Sequence, residues 1–441
     1  MILIAGAGIS GLSLAFHLKR KGIPFLLVDP SAEAGGKIRT ISRDGFRMDT
    51  GPNTLLADQE ILDFLKDAGL EAQIQYPLAI SKMRYLFRNG KFHGLAPDPL
   101  SFLFSPLLSW KGKWRIWQER NIPGISPENE SFADFVRRRF GSEALDWIAS
   151  PVQFGIHAAD PEELLVSDAF PALIQKEKEF GSLLKAMNHS GSARRAETIS
   201  FFGGMQVLSL KLAEHAGKSL ILNTVLEGVR KENGTWSCRL AEGKKSYEVR
   251  ADQVVFCMPA PEAAEVFRNS GFHQLAEELS RIRYQPLAVA HMVFPSVKKK
   301  EFRGFGGLIP AAAGFQSAGS IWASSLFPDR APAGMHLLAA FYGGALRPEL
   351  LHMQSGEVVE LLQRENPAIY GRQASLFPDV SIWKQAIPSY DLHRKLAVAG
   401  IQKANEPGVF FLANWQGGAG LADCIRNAGK LAWQLASGIN P

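Results

Sequence analysis

Residues 2–29 read ILIAGAGISGLSLAFHLKRKGIPFLLVD, two short apolar runs separated by a glycine-rich turn and a helix-forming segment. The run at 2–5 is apolar throughout, which is typical of a buried parallel strand, and FLLV at 25–28 has the same character. Between them the sequence predicts a helix from Ser10 to Lys21, which Gly22 ends. This order of elements predicts a strand–helix–strand unit whose two strands run parallel.

The turn after the first strand has the spacing GxGxxG, formed by Gly6, Gly8 and Gly11. The first glycine allows a tight turn, the second lets the backbone approach a pyrophosphate, and the third lets the helix pack closely on the strand. The helix N-terminus would direct free N–H groups at the same pyrophosphate. Asp29, at the end of the second strand, can accept hydrogen bonds from a ribose diol. Together these features predict a dinucleotide site.

The continuation AEAGGKIRTISRDGFRMDTGPNTL, residues 32–55, adds a second glycine pair and two basic residues. Lys37 and Arg39 can neutralise a diphosphate, and Gly51 lets the backbone approach a flat ring. A simple NAD fold would not need this second glycine site. The segment resembles the extended cofactor-binding segment of flavin oxidoreductases of the amine oxidase and phytoene desaturase group, which implies non-covalent FAD.

The C-terminal stretch GVFFLANWQGGAGLADCIRNAGKLAWQLA, residues 408–436, predicts a return to the same cofactor. We expect a buried strand from Val409 to Ala413, a glycine turn, and a helix from about Leu421. The N-terminus of that helix would stabilise negative charge on a flavin. The resemblance adds the segments around 201–217, 222–229 and 251–264, so we expect a discontinuous FAD-binding domain.

MRYLFRNGK, residues 83–91, predicts a β-hairpin, because Asn89-Gly90 favours a type I′ turn. Alternation along the strand places Arg84 and Arg88 on one face together with Leu86. Two arginines on one strand face of an apolar-cored protein suggest an anionic ligand for at least one of them. For Arg88 we expect a solvated side chain that pairs with a surface acid.

Composition excludes several other classes of protein. The chain has 441 residues, 46% hydrophobic and 21% charged, which indicates a globular protein of two or three domains. The three cysteines lie far apart, which excludes a disulfide framework, and no histidine spacing suggests a metal site. The net charge of +6 favours anionic partners, but no basic block suggests nucleic acid. We expect no targeting segment ahead of the first strand and no membrane-spanning helix.

Several further blocks occur in the order expected of the protoporphyrinogen oxidases, and the resemblance covers nearly the whole chain. They are TGPNTLLADQEILDFLKDAGL, SKMRYLFRNGKFHGLAPDPLSFL, PVQFGIHAADPEELLVSDAFPAL, FRGFGGLIP, SIWASSLFPDRAP, LLAAFYGG and ANWQGGAGLADCI. The resemblance implies oxidation of a porphyrinogen, with dioxygen as acceptor and no catalytic side chain. Two departures are Ala158-Ala159-Asp160-Pro161, where the family often has Gly-Gly-Asp-Pro, and Ala413-Asn414, where it often has Gly-Asn or Gly-Asp.

The resemblance also implies roles for individual residues. Arg84 would pair with a substrate propionate, Leu308 and Ile321 would grip one pyrrole, Phe341 would stack on another ring, and Asn53 would lie near flavin and substrate. The implied cofactor-binding residues are Gly6, Gly8, Ile9, Ser10, Gly11, Asp29, Pro30, Gly36, Lys37, Arg39, Gly51, Pro52, Asn53, Thr54, Val225, which would clamp the adenine, Trp383, Asn414, Gly418, Gly420 and Leu421.

The segment PLSFLFSPLLSWKGKWRIWQER, residues 99–120, carries Trp110, Trp114 and Trp117 at helical spacing between basic residues. The pattern suits a membrane interface and equally a domain core with a charged outer face. Because the resembled family is monotopic, we favour the membrane. The basic run at 137–140 is expected to be a solvated helix end.

The expected fold class is α/β, or α+β as a whole. FAD-binding parts of Rossmann type are predicted at 1–80, 196–260 and 396–441. A substrate-domain hairpin is predicted at 81–94, a helical membrane-association insert at 95–195, and an antiparallel-sheet substrate domain at 261–395.

The expected activity is oxygen-dependent oxidation of protoporphyrinogen IX to protoporphyrin IX, at a cytoplasmic location on the inner membrane surface. Coproporphyrinogen III as substrate and a redox-neutral flavin isomerase or desaturase remain alternatives, as does a homodimer.

Overall fold

The computed structural model describes residues 1–79, 83–95, 104–122, 126–189, 196–297, 301–345, 347–377, 379–404 and 406–437. The predicted insert at 95–195 and the predicted hairpin region at 81–94 therefore lie partly outside the described residues.

A five-stranded parallel sheet contains the N-terminal unit, with its strands in the spatial order Leu220–Ile221, Phe25–Val28, Ile2–Ala5, Gln253–Phe256 and Val409–Phe411. Both N-terminal strands have the predicted bounds, and the predicted C-terminal strand ends at Phe411. Phe25–Val28, the next strand of this sheet along the chain, lies on one side of Ile2–Ala5, and the later strand Gln253–Phe256 lies on the other side. At such a switch in strand order, α/β sheets have a crevice in which ligands bind. Segments from the two ends and the middle of the chain thus meet around one crevice.

The first helix, Ile9–Arg20, starts one residue before the predicted position and has no acidic residue in its first turn. Gly22 ends it as predicted, since its φ of 68° is readily adopted only by glycine. This helix packs against Leu421–Ser437, which starts where predicted. The free N–H groups of Ile9–Arg20 point to the crevice without a competing carboxylate in that turn.

A second, larger sheet contains the predicted hairpin. Its spatial order is Ser375–Leu376, Tyr284–Pro295, Met335–Gly343, Ser317–Ile321, Gly306–Leu308, Arg84–Arg88 and Lys91–Leu95, with Ser381–Pro388 also paired to Tyr284–Pro295. All pairs are antiparallel except Gly306–Leu308 with Arg84–Arg88, which are parallel. Asn89 and Gly90 have φ values of 52° and 74°, as a type I′ turn requires.

The two faces of the large sheet have different neighbours. Ala290, Leu338 and Ala340 lie on one face and share a core with Val358 and Leu362 of the helix Ser355–Tyr370. Part of the opposite face packs against Phe46 and Met48, and the rest carries the candidate substrate residues described below.

The remaining sheets are small and antiparallel: Thr224–Glu232 with Thr235–Glu242 and Lys245–Ala251, Thr40–Arg43 with Phe46–Asp49, and Leu55–Ala57 with Glu197–Phe201 and Ile74–Gln75. The other α-helices are Gln59–Asp67, Trp110–Trp117, Phe132–Phe140, Ser142–Ala144, Ser150–His157, Val166–Ala169, Pro171–Phe180, Leu183–His189, Gln206–Ala216, Ala260–Asn269, His273–Ser280, Ala323–Leu326 and Leu392–Ala404. Among the described residues, no helix is long and apolar enough to span a bilayer.

The prediction of a solvated basic run at 137–140 is confirmed for Arg137, which is 39% exposed, and wrong for Arg139. The run does end the helix Phe132–Phe140, but Arg139 is fully buried and pairs with Glu119 and Glu177. Burial by itself would raise the pKa of Glu177, but hydrogen bonds from Ser126, Arg138 and Arg139 lower this pKa to about 2. The prediction failed because the carboxylates that compensate Arg139 lie far from it in sequence.

Candidate active site

The glycine turn leaves open space at Gly8 alone among the three fingerprint glycines. A Cβ atom on Gly8 would meet no protein atom within 4 Å. On Gly6 it would lie 2.6 Å from the Cys257 carbonyl oxygen, and on Gly11 it would clash with the Gly6 carbonyl oxygen. Packing therefore requires glycine at Gly6 and Gly11. At Gly8 the absence of a side chain keeps a space beside the helix N-terminus clear. That space fits a diphosphate.

Asp29 is positioned at the crevice by hydrogen bonds to its carboxylate. The carboxylate accepts from the backbone N–H groups of Ala7 at 2.6 Å and Ser31 at 2.8 Å. Each carboxylate oxygen has a further lone pair, which a ribose hydroxyl could use. Next to it, Thr224 donates its N–H to the Asp29 carbonyl oxygen at 2.9 Å, and the following Val225 is 45% exposed. Pro30 is exposed beside them.

The second glycine pair lies against the first turn. Gly36 has a φ of 58°, which favours glycine, and a Cβ there would lie 3.3 Å from the Gly8 Cα. Burial lowers the pKa of Lys37 and raises that of Glu262, and the two charges attract one another. Arg39 is exposed and donates from Nε to the Gly36 carbonyl oxygen at 3.2 Å. The predicted cationic residues therefore flank the crevice.

The C-terminal glycine turn lies at the other side of the same crevice. Gly418 has a φ of 104°, and a Cβ there would lie 2.6 Å from the Asp423 carboxylate. A Cβ on Gly420 would lie 3.0 Å from the same carboxylate. Asn414 accepts a hydrogen bond from the Tyr390 hydroxyl through its carbonyl oxygen at 2.9 Å. The backbone conformation and the Asp423 contact therefore already explain Gly418, and Leu421 begins the following helix.

Trp383 and Asn53 both contact the segment that carries Gly51. Trp383, on the edge strand Ser381–Pro388, donates its indole N–H to the Thr50 carbonyl oxygen at 2.6 Å. Asn53 is buried and donates its amide N–H to the Gly51 carbonyl oxygen at 3.0 Å. Pro52 and Thr54 are half-buried in the same segment. The segment that carries Gly51 is therefore held against the large sheet.

The large sheet brings four predicted substrate residues to one face, in two adjacent cross-strand rows. One row runs Leu86, Leu308, Gly319, Phe341, Val289, and the next runs Arg84, Gly306, Ile321, Ala339, His291. Positions two residues apart on a strand share a face, so the rows are neighbours on the same surface. Gly155, on the helix Ser150–His157, lies over Leu308, since a Cβ there would be 3.1 Å from a Leu308 methyl group. Leu308, Ile321 and Phe341 are each half-buried, as slot walls would be.

The two arginines of the hairpin differ. Arg84 is exposed and lies over the Phe305 ring, 4.7 Å from its centroid, and no ion pair involves it in the described part of the chain. Arg88 does pair with an acid, Glu143, but only 17% of its side chain is exposed. It also donates to the Leu107 carbonyl oxygen. The expected pairing with an acid is therefore confirmed, but the expected solvation of Arg88 is wrong, because the helical region folds over this end of the strand.

Sequence reasoning missed His291, which occupies the same row as Ile321. It is 2% exposed, and its Nε2 has no hydrogen-bond partner in the described structure. Burial lowers its pKa to about 4, so the ring is neutral at pH 7. A histidine within the otherwise apolar stretch LAVAHMVF was the signal available in the sequence.

The tryptophans of the helix Trp110–Trp117 are exposed. Exposed fractions are 66% for Trp110, 58% for Trp114 and 47% for Trp117, so the alternative of a domain core is wrong. Trp114 and Trp117 stack with centroids 4.9 Å apart, and Lys113 lies over the Trp110 ring. Such aromatic and cationic surface suits an interface with lipid headgroups. The described residues contain no cluster of metal-ligating side chains.

Comparison with known proteins agrees with this geometry. A family model described as flavin containing amine oxidoreductase matches residues 9–435. Protoporphyrinogen oxidase 2 of Arabidopsis thaliana is 30% identical over 476 residues, covering 98% of this chain and 92% of that protein. Coproporphyrinogen III oxidase of Bacillus subtilis is 26% identical over 460 residues, covering 98% of this chain and 96% of that protein.

Solved structures share the fold. A protein from Exiguobacterium sp. 255-15, assigned as a protoporphyrinogen oxidase, superposes with a TM-score of 0.84 at 21% identity, over 99% of this chain and 98% of that one. A redesigned putrescine oxidase gives a TM-score of 0.72 at 15% identity, over 99% and 98%. The resemblance noted from the sequence blocks is confirmed, and the chain belongs to the flavin-containing amine oxidoreductase family.

Proposed function

We propose that this protein uses FAD to oxidise protoporphyrinogen IX to protoporphyrin IX, a six-electron reaction with dioxygen as acceptor. The observation that carries the proposal is the shared face of Arg84, Leu308, Ile321 and Phe341 in two adjacent rows of the large sheet. A half-buried apolar surface with one exposed guanidinium at its margin suits a large apolar macrocycle that carries carboxylates. The similarity to porphyrinogen oxidases supports the same choice.

The residues around the parallel sheet fit FAD. The space at Gly8 and the N-terminus of Ile9–Arg20 would hold the diphosphate, and Asp29 would hold a ribose. Val225 offers an exposed apolar side chain for the adenine. Bound FAD would supply the oxidation, accepting two electrons at a time and returning them to dioxygen.

The large sheet would bind and orient the substrate. Leu308, Ile321 and Phe341 would pack against the macrocycle, and Arg84 would pair with a propionate. The strand positions in the two rows carry no carboxylate, and burial lowers the pKa of His291 to about 4, which makes its ring a weak base. The pyrrole N–H protons can therefore leave to water, without a dedicated base on these strands.

Coproporphyrinogen III is the second candidate substrate, because relatives with that activity in their names match the chain over similar lengths. Steady-state fluorescence assays of the FAD-loaded protein on both porphyrinogens would separate the candidates. We expect the higher kcat/KM on protoporphyrinogen IX. A higher kcat/KM on coproporphyrinogen III would identify that compound as the substrate instead. Oxidation of neither porphyrinogen would overturn the proposed function.

We also propose that the protein works at the cytoplasmic surface of the cell membrane. Exposed Trp110, Trp114 and Trp117 with the neighbouring Lys113 and Arg120 support a peripheral, headgroup-level contact. Such a contact would place the protein where an apolar macrocycle partitions. Both the monomer and a homodimer are compatible with this arrangement.

A further inference from the structure

Arg394, on the helix Leu392–Ala404, is buried beside the C-terminal glycine turn. We infer that Arg394 is a positioning residue that raises the reduction potential of bound FAD by keeping the carbonyl oxygens of residues 414–417 turned away from the crevice. The inference rests on the proposed function and deepens it, because it names a residue that adjusts the cofactor through the backbone of this turn.

Three successive carbonyl groups of the turn accept hydrogen bonds from two side chains of one short segment. The Asn414 carbonyl oxygen accepts from the Tyr390 hydroxyl at 2.9 Å. The Trp415 oxygen accepts from Arg394 Nε at 2.5 Å, and the Gln416 oxygen accepts from Arg394 Nη2 at 2.9 Å. Each bond fixes the direction of one carbonyl group, so these peptide units cannot rotate their oxygens into the crevice without breaking it.

The next peptide unit is held as well, since the Gly417 carbonyl oxygen accepts from Asn427 Nδ2 at 3.0 Å. In a trans peptide unit the N–H of the following residue points away from the carbonyl oxygen. The N–H groups of Trp415 and Gly417 donate to no other described residue. The turn therefore has free N–H groups, while its carbonyl oxygens are all directed at protein donors.

The turn leads into the helix Leu421–Ser437, whose first turn adjoins the glycine fingerprint. The Cys424 side chain in that first turn hydrogen-bonds with Ser10, in the first turn of Ile9–Arg20. Reduction adds negative charge to a flavin. N–H dipoles directed at that charge favour the reduced cofactor, whereas a carbonyl oxygen directed at it would favour the oxidised one. The orientation of the turn should therefore affect the two redox states unequally.

The guanidinium geometry suits this role. The remaining terminal nitrogen of Arg394, Nη1, donates to the Asp168 carboxylate at 2.8 Å, and the guanidinium carbon lies 4.1 Å from the Tyr390 ring centroid. Arg394 is 6% exposed, so Asp168 compensates a buried charge. Lysine would keep the charge, but its single nitrogen lacks the planar fork that reaches two successive carbonyl oxygens.

The test is the two-electron midpoint potential of bound FAD, measured against reference dyes in the absence of a porphyrinogen. Arg394→Lys should weaken the binding of reduced FAD relative to oxidised FAD about tenfold, which lowers the potential by about 30 mV. Arg283→Lys is the matched control, because Arg283 pairs with Asp391 and Glu163 and contacts no carbonyl oxygen of the turn. It should leave the ratio of the two affinities within about twofold.

Tyr390→Phe keeps the test valid if Arg394→Lys does not fold. It removes only the hydroxyl that holds the Asn414 oxygen, so the ratio should move in the same direction by about threefold. An unchanged potential in FAD-loaded Arg394→Lys or Tyr390→Phe, with or without a lower melting temperature, would overturn the inference, because it would limit the residue to a role in stability. A wild-type protein that oxidises neither porphyrinogen would instead overturn the proposed function, since the potential is measured without substrate.

Discussion

Gly8 is the residue at which the cofactor site can be tested without disturbing the packing. Because a Cβ there meets no protein atom within 4 Å, Gly8→Val should fold normally and fill the space expected for the diphosphate. We expect FAD affinity to fall at least tenfold, or about 1.4 kcal/mol. The measurement is FAD content after gel filtration, with the melting temperature of the apoprotein as control. Full FAD content in the variant would contradict the nucleotide-site assignment.

Arg84 is the residue at which carboxylate recognition can be tested. An unpaired guanidinium at a partly desolvated rim should contribute about 1.5–3 kcal/mol to binding a propionate. Arg84→Ala should therefore lower kcat/KM on protoporphyrinogen IX about 10- to 150-fold, mostly through KM. Arg84→Lys should recover only part, because lysine lacks the planar fork.

The control for Arg84 has to be a cation away from the slot, since Arg88 is not solvated. Lys245→Ala removes an exposed positive charge from the strand Lys245–Ala251 and should change kcat/KM less than twofold. The dimethyl ester of the substrate provides a second comparison. Wild type should discriminate against the ester, and equal discrimination by Arg84→Ala would show that Arg84 does not read the carboxylate.

Residues differ in how far the sequence could predict them. Gly6, Gly8 and Gly11 were predictable because a fixed local spacing meets a fixed backbone requirement. Arg139 and Arg88 were not, because burial of a charge depends on partners that only the tertiary fold brings close. Glu119 lies 20 residues before Arg139, and Glu143 lies 55 residues after Arg88.

At the scale of single elements, local signals predicted the secondary structure closely. Asn89-Gly90 forms the predicted turn because left-handed φ at two successive residues is a local property. The parallel pairing of Gly306–Leu308 with Arg84–Arg88 was not predictable, because the two strands lie far apart in the chain. That pairing is what aligns Leu308 with Leu86.

The helix Trp110–Trp117 should direct membrane binding. Replacing its three exposed tryptophans with serine should move the protein from the pellet to the supernatant in a sedimentation assay with anionic liposomes, with FAD content unchanged. Trp433→Ser is the matched control, because Trp433 is 58% exposed on a different helix. A wild-type protein that never sediments with the liposomes would refute the membrane assignment.

The helix Phe132–Phe140 should depend strongly on its buried arginine. Arg139→Met leaves Glu119 and Glu177 buried without this cation and should lower the free energy of unfolding by about 3–5 kcal/mol. Arg137→Met removes only exposed ion pairs and should cost at most about 1 kcal/mol. Urea unfolding followed by tryptophan fluorescence measures both, and equal effects would show that the buried network is not stabilising.

At the scale of the whole molecule, the fold places a nucleotide crevice beside an apolar sheet face. The parallel sheet collects strands from 2–5, 253–256 and 409–411 around the crevice, and the Trp383 indole joins that region to the large sheet. The sequence resemblance predicted both parts, since it covered nearly the whole chain. It could not predict which charges the helical region neutralises, because those contacts depend on how that region folds over the sheet.

The most direct test of the central claim is anaerobic mixing of the FAD-loaded protein with protoporphyrinogen IX, followed by visible absorbance and porphyrin fluorescence. The flavin absorbance should bleach as porphyrin fluorescence rises, and admitting dioxygen should restore the flavin absorbance and allow further turnover. A flavin absorbance that stays unchanged with both protoporphyrinogen IX and coproporphyrinogen III would contradict the account.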